Sequence, residues 1–170
     1  MHKVGRLRVY LILLLALLVQ VTVLGHFRIF GARPDLMAIC VIFSGLFLGR
    51  PAGLETGLAA GLLTDLFSLD HFGINMFIYG VTGLLAGALR TSIAKETKRT
   101  QFLAVFLCTA FAMCLHFSLV SAFSRSAILS LPEYLKACVL PAGVYTAILS
   151  VPIFMKFLEM YDLREEDDLL

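Results

Sequence analysis

Few side chains in this sequence have the types and spacing that chemistry requires, and those few sit at the edges of apolar runs. Asp65 follows Gly61 by four residues, and Asp35 comes directly after Arg33 and Pro34. Asp70 and His71 adjoin one another in the stretch 68–73, while Gln20 and His116 interrupt two otherwise apolar segments. Paired carboxylates can divide acid and base roles, and a histidine beside a serine can activate a nucleophile. Neither arrangement is set up here. His116 lies on the same predicted helix as Ser118 and Ser121, whereas a dyad needs cross-helix geometry. Asp65 and Asp70 lie at a segment end. The fingerprints HExxH, GxSxG, GxxxxGK[ST] and the dinucleotide-binding glycine pattern do not occur. Cys40, Cys108, Cys114 and Cys138 form no CxxC pair and have no zinc-like spacing to histidine or aspartate. We therefore expect no catalytic, metal or cofactor site and no enzyme activity.

The elements that would position these residues are apolar helices. The chain has 170 residues, 59% hydrophobic and 15% charged, with mean hydropathy +0.90. An average domain is roughly 25% charged, and several windows here of about 16 to 22 residues are nearly free of charge, the mark of membrane spans. The expected fold is an all-α integral membrane protein with six transmembrane helices, over about 9–24, 35–49, 53–67, 74–89, 102–123 and 134–158. They form one domain, residues 1–158, with an acidic cytoplasmic tail at 159–170. The first span follows a basic start and reads as an uncleaved helix. Pro34 and Asp35 suit the first turn of the second span, and Pro141 and Pro152 should kink the last. Glu55 is expected near the start of the third span, as a dipole partner or ion-paired to Arg50 or Arg90.

Glycine recurs at Gly45, Gly49, Gly53, Gly57 and Gly61, and again at Gly80, Gly83 and Gly87. Interior glycine costs a soluble helix about 1 kcal/mol, but in lipid small residues four apart let helix backbones meet. The ridge should pack the third span against the second or fourth. Asp65, beyond the ridge at a helix C-terminus, faces an opposing dipole. It is read either as capped or solvated, or as holding a partner or a neighbouring loop.

Orientation follows the basic residues. With both termini in the cytoplasm, Lys3, Arg6, Arg8, Arg50, Arg90, Lys95, Lys98, Arg99, Lys156 and Arg164 fall inside, and Arg28, Arg33, Arg125 and Lys136 outside, ten against four. Asp35, Asp65 and Asp70 then share the outer face. Residues 90–99 form the most basic loop, suited to anionic headgroups or a cytoplasmic partner. Two functions remain open. A scaffold for other membrane proteins needs small-residue interfaces and charged edges. A small-molecule capture subunit of a multi-component transporter would use a cavity near His116 and Gln20. The bilayer is a partner in either case, and no nucleic acid is expected.

The run Arg33-Pro34-Asp35-Leu36, then Gly57-x-x-x-Gly61-x-x-x-Asp65-Leu66, then Gly73 resembles the rod shape-determining protein MreD family. The resemblance implies a non-enzymatic, multi-pass subunit of the bacterial plasma membrane. Its implied partners are MreC, most directly, then RodA with its transpeptidase partner and the MreB filament, in an assembly that positions lateral peptidoglycan synthesis. It also implies a fold similar to the substrate-capture subunits of energy-coupling-factor transporters. On this reading Arg33, Asp35 and Asp65 belong to a partner-binding edge.

Overall fold

A helix satisfies its backbone polar groups within one segment, as lipid demands, and the computed structural model is helical throughout its regular elements. It describes residues 3–24, 34–67, 72–90, 98–123 and 130–167, with no strand among them. Helix α1 (Lys3–Val19) runs into a wider π turn at Gln20–Leu24. Helix α2 (Leu36–Phe43) runs into a second π turn, Ser44–Leu48. Helices α3 (Arg50–Phe67), α4 (Ile74–Leu89) and α5 (Lys98–Phe123) follow. A short α6 (Leu131–Tyr134) leads through a third π turn, Leu135–Val139, into α7 (Leu140–Asp167).

The core is built around α2. Met37, Ala38, Ile39, Val41, Ile42 and Phe43 are all fully buried, so this helix is enclosed on nearly every side. Leu13 and Leu17 of α1, Leu46 and Phe47 of the π turn after α2, Ala60 of α3, Tyr79 and Ala86 of α4, Ala104, Val105 and Cys108 of α5, and Ala147 of α7 complete the cluster. The outer faces are apolar as well. Leu11, Leu14, Leu15 and Leu18 of α1, Leu103, Leu107 and Phe111 of α5, and Val144 and Ile148 of α7 are exposed. Apolar exposure on several helices at once suits a lipid surround rather than water. Among the described residues, two stretches are long and apolar enough to cross a membrane, Arg99–Ala122 and Leu131–Ile153. The segment Leu36–Leu48 is shorter, about 20 Å at 1.5 Å per residue.

Helices α3 and α4 form a tight antiparallel hairpin, and the glycine ridge is its seam. A Cβ added at Gly53 would overlap the Gly83 carbonyl oxygen, and one at Gly83 the Gly53 carbonyl. Gly57 meets the Tyr79 carbonyl and Gly61 the Cα of Met76 in the same way. An added Cβ at Gly87 would lie 2.5 Å from the Arg50 Cα, and one at Gly45 in the π turn 2.7 Å from the Gly83 oxygen. The ridge thus meets α4, with the π turn after α2 wedged against the same seam. Two glycines differ. An added Cβ at Gly80 would meet side chains rather than backbone, Leu58 at 3.1 Å and Leu54 at 3.6 Å, and Gly49 has φ +94°, a left-handed conformation that ends one helix and allows the next to start. Because Gly49 turns the chain alone, α3 begins at Arg50 rather than at Gly53. Glu55 consequently lies in the second turn of α3, where it accepts a hydrogen bond from the Tyr10 hydroxyl at 2.7 Å.

Pro141 is the second residue of α7, one residue beyond the Leu135–Val139 π turn. A proline cannot donate to the preceding turn and crowds the carbonyl four residues back, and the wider turn accommodates both. The expected proline break therefore takes the form of a π turn at this position, while Pro152 lies inside α7.

Candidate functional site

Two helix N-termini open at the same end of the bundle, and side chains from elsewhere satisfy each of them. Every helix starts with backbone N–H groups that lack intrahelical acceptors. At α2, Asp35 accepts from Ala38 N at 3.0 Å, while Gln20 Oε1 accepts from Leu36 N at 3.0 Å and Met37 N at 3.2 Å. Gln20 reaches that position from the start of the π turn that ends α1. At α4, the cap comes from the helix before it. Asp65 Oδ2 accepts from Gly73 N and Met76 N, both at 3.0 Å, and Oδ1 accepts from Asn75 N at 3.2 Å and Asn75 Nδ2 at 2.9 Å. Asp65 is only 2% exposed. The opposing dipole at the end of α3 is thus answered by the positive end of α4, which points at the same carboxylate.

Tyr79 joins the two caps. From the second turn of α4 its hydroxyl donates to Asp35 Oδ2 at 2.5 Å, and the Asp35 backbone N–H donates to Thr146 Oγ1 of α7 at 3.2 Å. A polar chain therefore runs from α3 through α4 to α2, with branches to α1 and α7. In surroundings of low dielectric constant such networks hold helices in register, because an unpaired member is costly.

Beside this network lies a cavity of about 290 Å³. Gln20, Asp35, Asn75, Tyr79, Thr109, His116, Tyr134 and Thr146 supply its polar lining, and Ile78, Ala112, Met113 and Ala142 are among its apolar walls. Helices α4, α5, α6 and α7 contribute, with Gln20 from the first π turn and Asp35 from the start of α2, and spaces between helices are where cavities in bundles form. His116 is exposed at the wall.

A family model described as rod shape-determining protein MreD matches residues 1–161. The chain belongs to the MreD family. No curated protein and no solved structure matches it. MreD-family proteins are membrane proteins of the rod-shape system, a structural family rather than a known enzyme family, and the apolar helices described above agree with that.

Set against this MreD-family fold, the residues singled out in the sequence fall into three groups. Asp35, Gln20 and His116 converge on the cavity, and Asp65 lies one hydrogen-bonded step away through Asn75. Asp65 holds its own chain, the turn and first residues of α4, so the structure gives it a neighbouring segment as its bonded partner. Arg33, Asp70, His71 and the 91–97 part of the basic loop lie outside the described residues. The sequence reading missed Asn75, Tyr79, Thr109 and Thr146. Asn75, two residues past Gly73, carried a weak signal as a helix-start residue. The others are ordinary helical residues until the bundle brings them together.

Proposed function

We propose that this chain is a non-enzymatic scaffold subunit of the bacterial rod elongation complex, binding MreC and helping to position lateral wall synthesis. The family match over residues 1–161 carries the reading. In this proposal the chain lies in the plasma membrane with six spans and both termini cytoplasmic, in line with the asymmetry of its basic residues. The RodA glycosyltransferase, its transpeptidase partner and MreB join through the same assembly. The geometry supports a docking edge of a particular kind. Asp65 fixes the start of α4, and Leu66, Phe67 and Phe72 stand exposed on either side of that cap. Asp35 and Asp65 shape this edge from within while apolar side chains and Arg33 make the contact.

Affinity purification from crosslinked membranes, with an N-terminal tag and mass spectrometry, tests the reading. MreC and the wall-synthesis enzymes should be recovered. The cavity favours a second reading, a capture subunit of a multi-component transporter, for which ATPase subunits and a membrane coupling protein would be recovered instead.

A further inference from the structure

Thr109 is not accounted for by the capping network. Its side chain is 2% exposed and lines the cavity, yet its hydroxyl has no hydrogen-bond partner. A helical threonine commonly returns its hydroxyl to the carbonyl four residues back. Thr56, Thr64 and Thr82 do so here, at 2.8, 2.9 and 2.7 Å. Thr109 does not, and a buried hydroxyl left unpaired is destabilising.

Two of the groups that share its cavity, Asp35 and Asn75, present acceptors. An ionised carboxylate has about four lone-pair sites, and Asp35 receives Ala38 N and the Tyr79 hydroxyl. Asn75 commits its Nδ2 to Asp65, which leaves the amide oxygen as an acceptor. Tyr79 and Tyr134 bring aromatic rings to the wall, surfaces that attract cations. Among the described lining residues Asp35 is the one carboxylate, and there is no lysine or arginine. His116 is the one titratable base among the described lining residues, and a positively charged donor would find its countercharge in Asp35.

We propose that the cavity binds a primary ammonium group, with Thr109 Oγ1 and Asn75 Oδ1 accepting its hydrogens and Asp35 supplying the countercharge. The ammonium belongs either to the ethanolamine headgroup of a membrane lipid or to a small free amine. This assignment goes beyond the scaffold and capture readings and depends on neither, since a structural subunit can also carry a bound ligand.

The test uses the purified full chain and two variants, Thr109→Val, which keeps the shape, and Ala112→Leu, which fills the cavity. Unfolding temperature is followed with millimolar ethanolamine, with ethylene glycol and with glycolate. Native mass spectrometry compares retention of phosphatidylethanolamine and phosphatidylglycerol of matched chains. Ethanolamine should raise the unfolding temperature, or phosphatidylethanolamine should be retained preferentially, and the neutral and anionic probes should do neither. Stabilisation by free ethanolamine identifies a soluble amine, and retention of the lipid alone identifies the headgroup. Thr109→Val should weaken the effect about tenfold in dissociation constant, as for loss of one hydrogen bond to a charged group. Ala112→Leu should abolish it. Equal effects of glycolate or phosphatidylglycerol, no response to either amine, or a response unchanged in both variants would overturn the proposal.

Discussion

The Asp65 carboxylate accepts three backbone N–H groups and one side-chain amide from the start of α4. Truncation leaves those part-buried donors unanswered. Asp65→Ala should therefore cost about 2–4 kcal/mol, combining a lost helix cap with unsatisfied N–H groups. Asp65→Asn should recover only part of that, since its amide nitrogen would face donors. Thermal unfolding in detergent reads both, and an Asp65→Ala protein as stable as the wild type would remove the cap from the account. Tyr79→Phe is milder. It deletes the hydroxyl that donates to Asp35 but leaves the Ala38 N–H in place, so about 1 kcal/mol should be lost. The sequence made Asp65 conspicuous because a carboxylate near lipid needs compensation. Its partners stayed hidden because they are mostly backbone groups, eight to eleven residues further on, which leave no trace in residue type. The conspicuous Asp70–His71 pair, by contrast, offered types without a predicted scaffold to hold them.

Helix α3 illustrates what a repeat can and cannot say about packing. The four-residue glycine period marks a small face, which was legible, but a face does not name its neighbour. Only six residues of sequence separate Phe67 from Ile74, which makes that neighbour α4, and the carbonyl-to-glycine contacts at Gly53, Gly57 and Gly83 close the seam. The repeat also suggested equivalence where the structure shows differences. Gly49 belongs to the period yet acts as a left-handed turn, and Gly80 faces a side chain that can move. The π turns had no sequence signature strong enough to read. Substitutions should separate these roles. Gly83→Ala places a methyl on the Gly53 carbonyl and should cost about 3 kcal/mol through forced separation of the hairpin. Gly80→Ala should stay within about 1 kcal/mol of wild type, because helix propensity offsets a small shift of Leu58. Membrane levels and unfolding temperature of the pair give the comparison, and equal losses at both positions would mean that the seam is not the limiting contact.

At the scale of the molecule the two ends of the bundle differ in charge, and this difference makes orientation testable. One end gathers Asp35 and Asp65, both bonded into helix starts, together with the cavity. Arg50 opens α3 at the other end, where an added Cβ on Gly49 would come within 3.0 Å of the Arg90 guanidinium. Lysine and arginine are retained on the cytoplasmic side, whereas Asp and Glu have little influence. The Arg50 and Arg90 end should therefore face the cytoplasm and the cavity end the outside. Single cysteines at Phe72 and Ser130 mark the cavity end, and one at Arg50 marks the other; all three residues are exposed. The native Cys40, Cys108, Cys114 and Cys138 are partly or fully buried, and replacing them with alanine or serine removes their background. In spheroplasts a membrane-impermeant maleimide should label Phe72→Cys and Ser130→Cys directly, and Arg50→Cys only after the membrane is opened. The reverse pattern would turn the molecule over, placing both the proposed docking edge and the cavity in the cytoplasm. An outer-face contact with MreC through Leu66, Phe67 and Phe72 would then be impossible. If labelling follows the expected pattern, the same Phe72→Cys protein can be crosslinked to MreC from outside, so that orientation and docking are tested on one position.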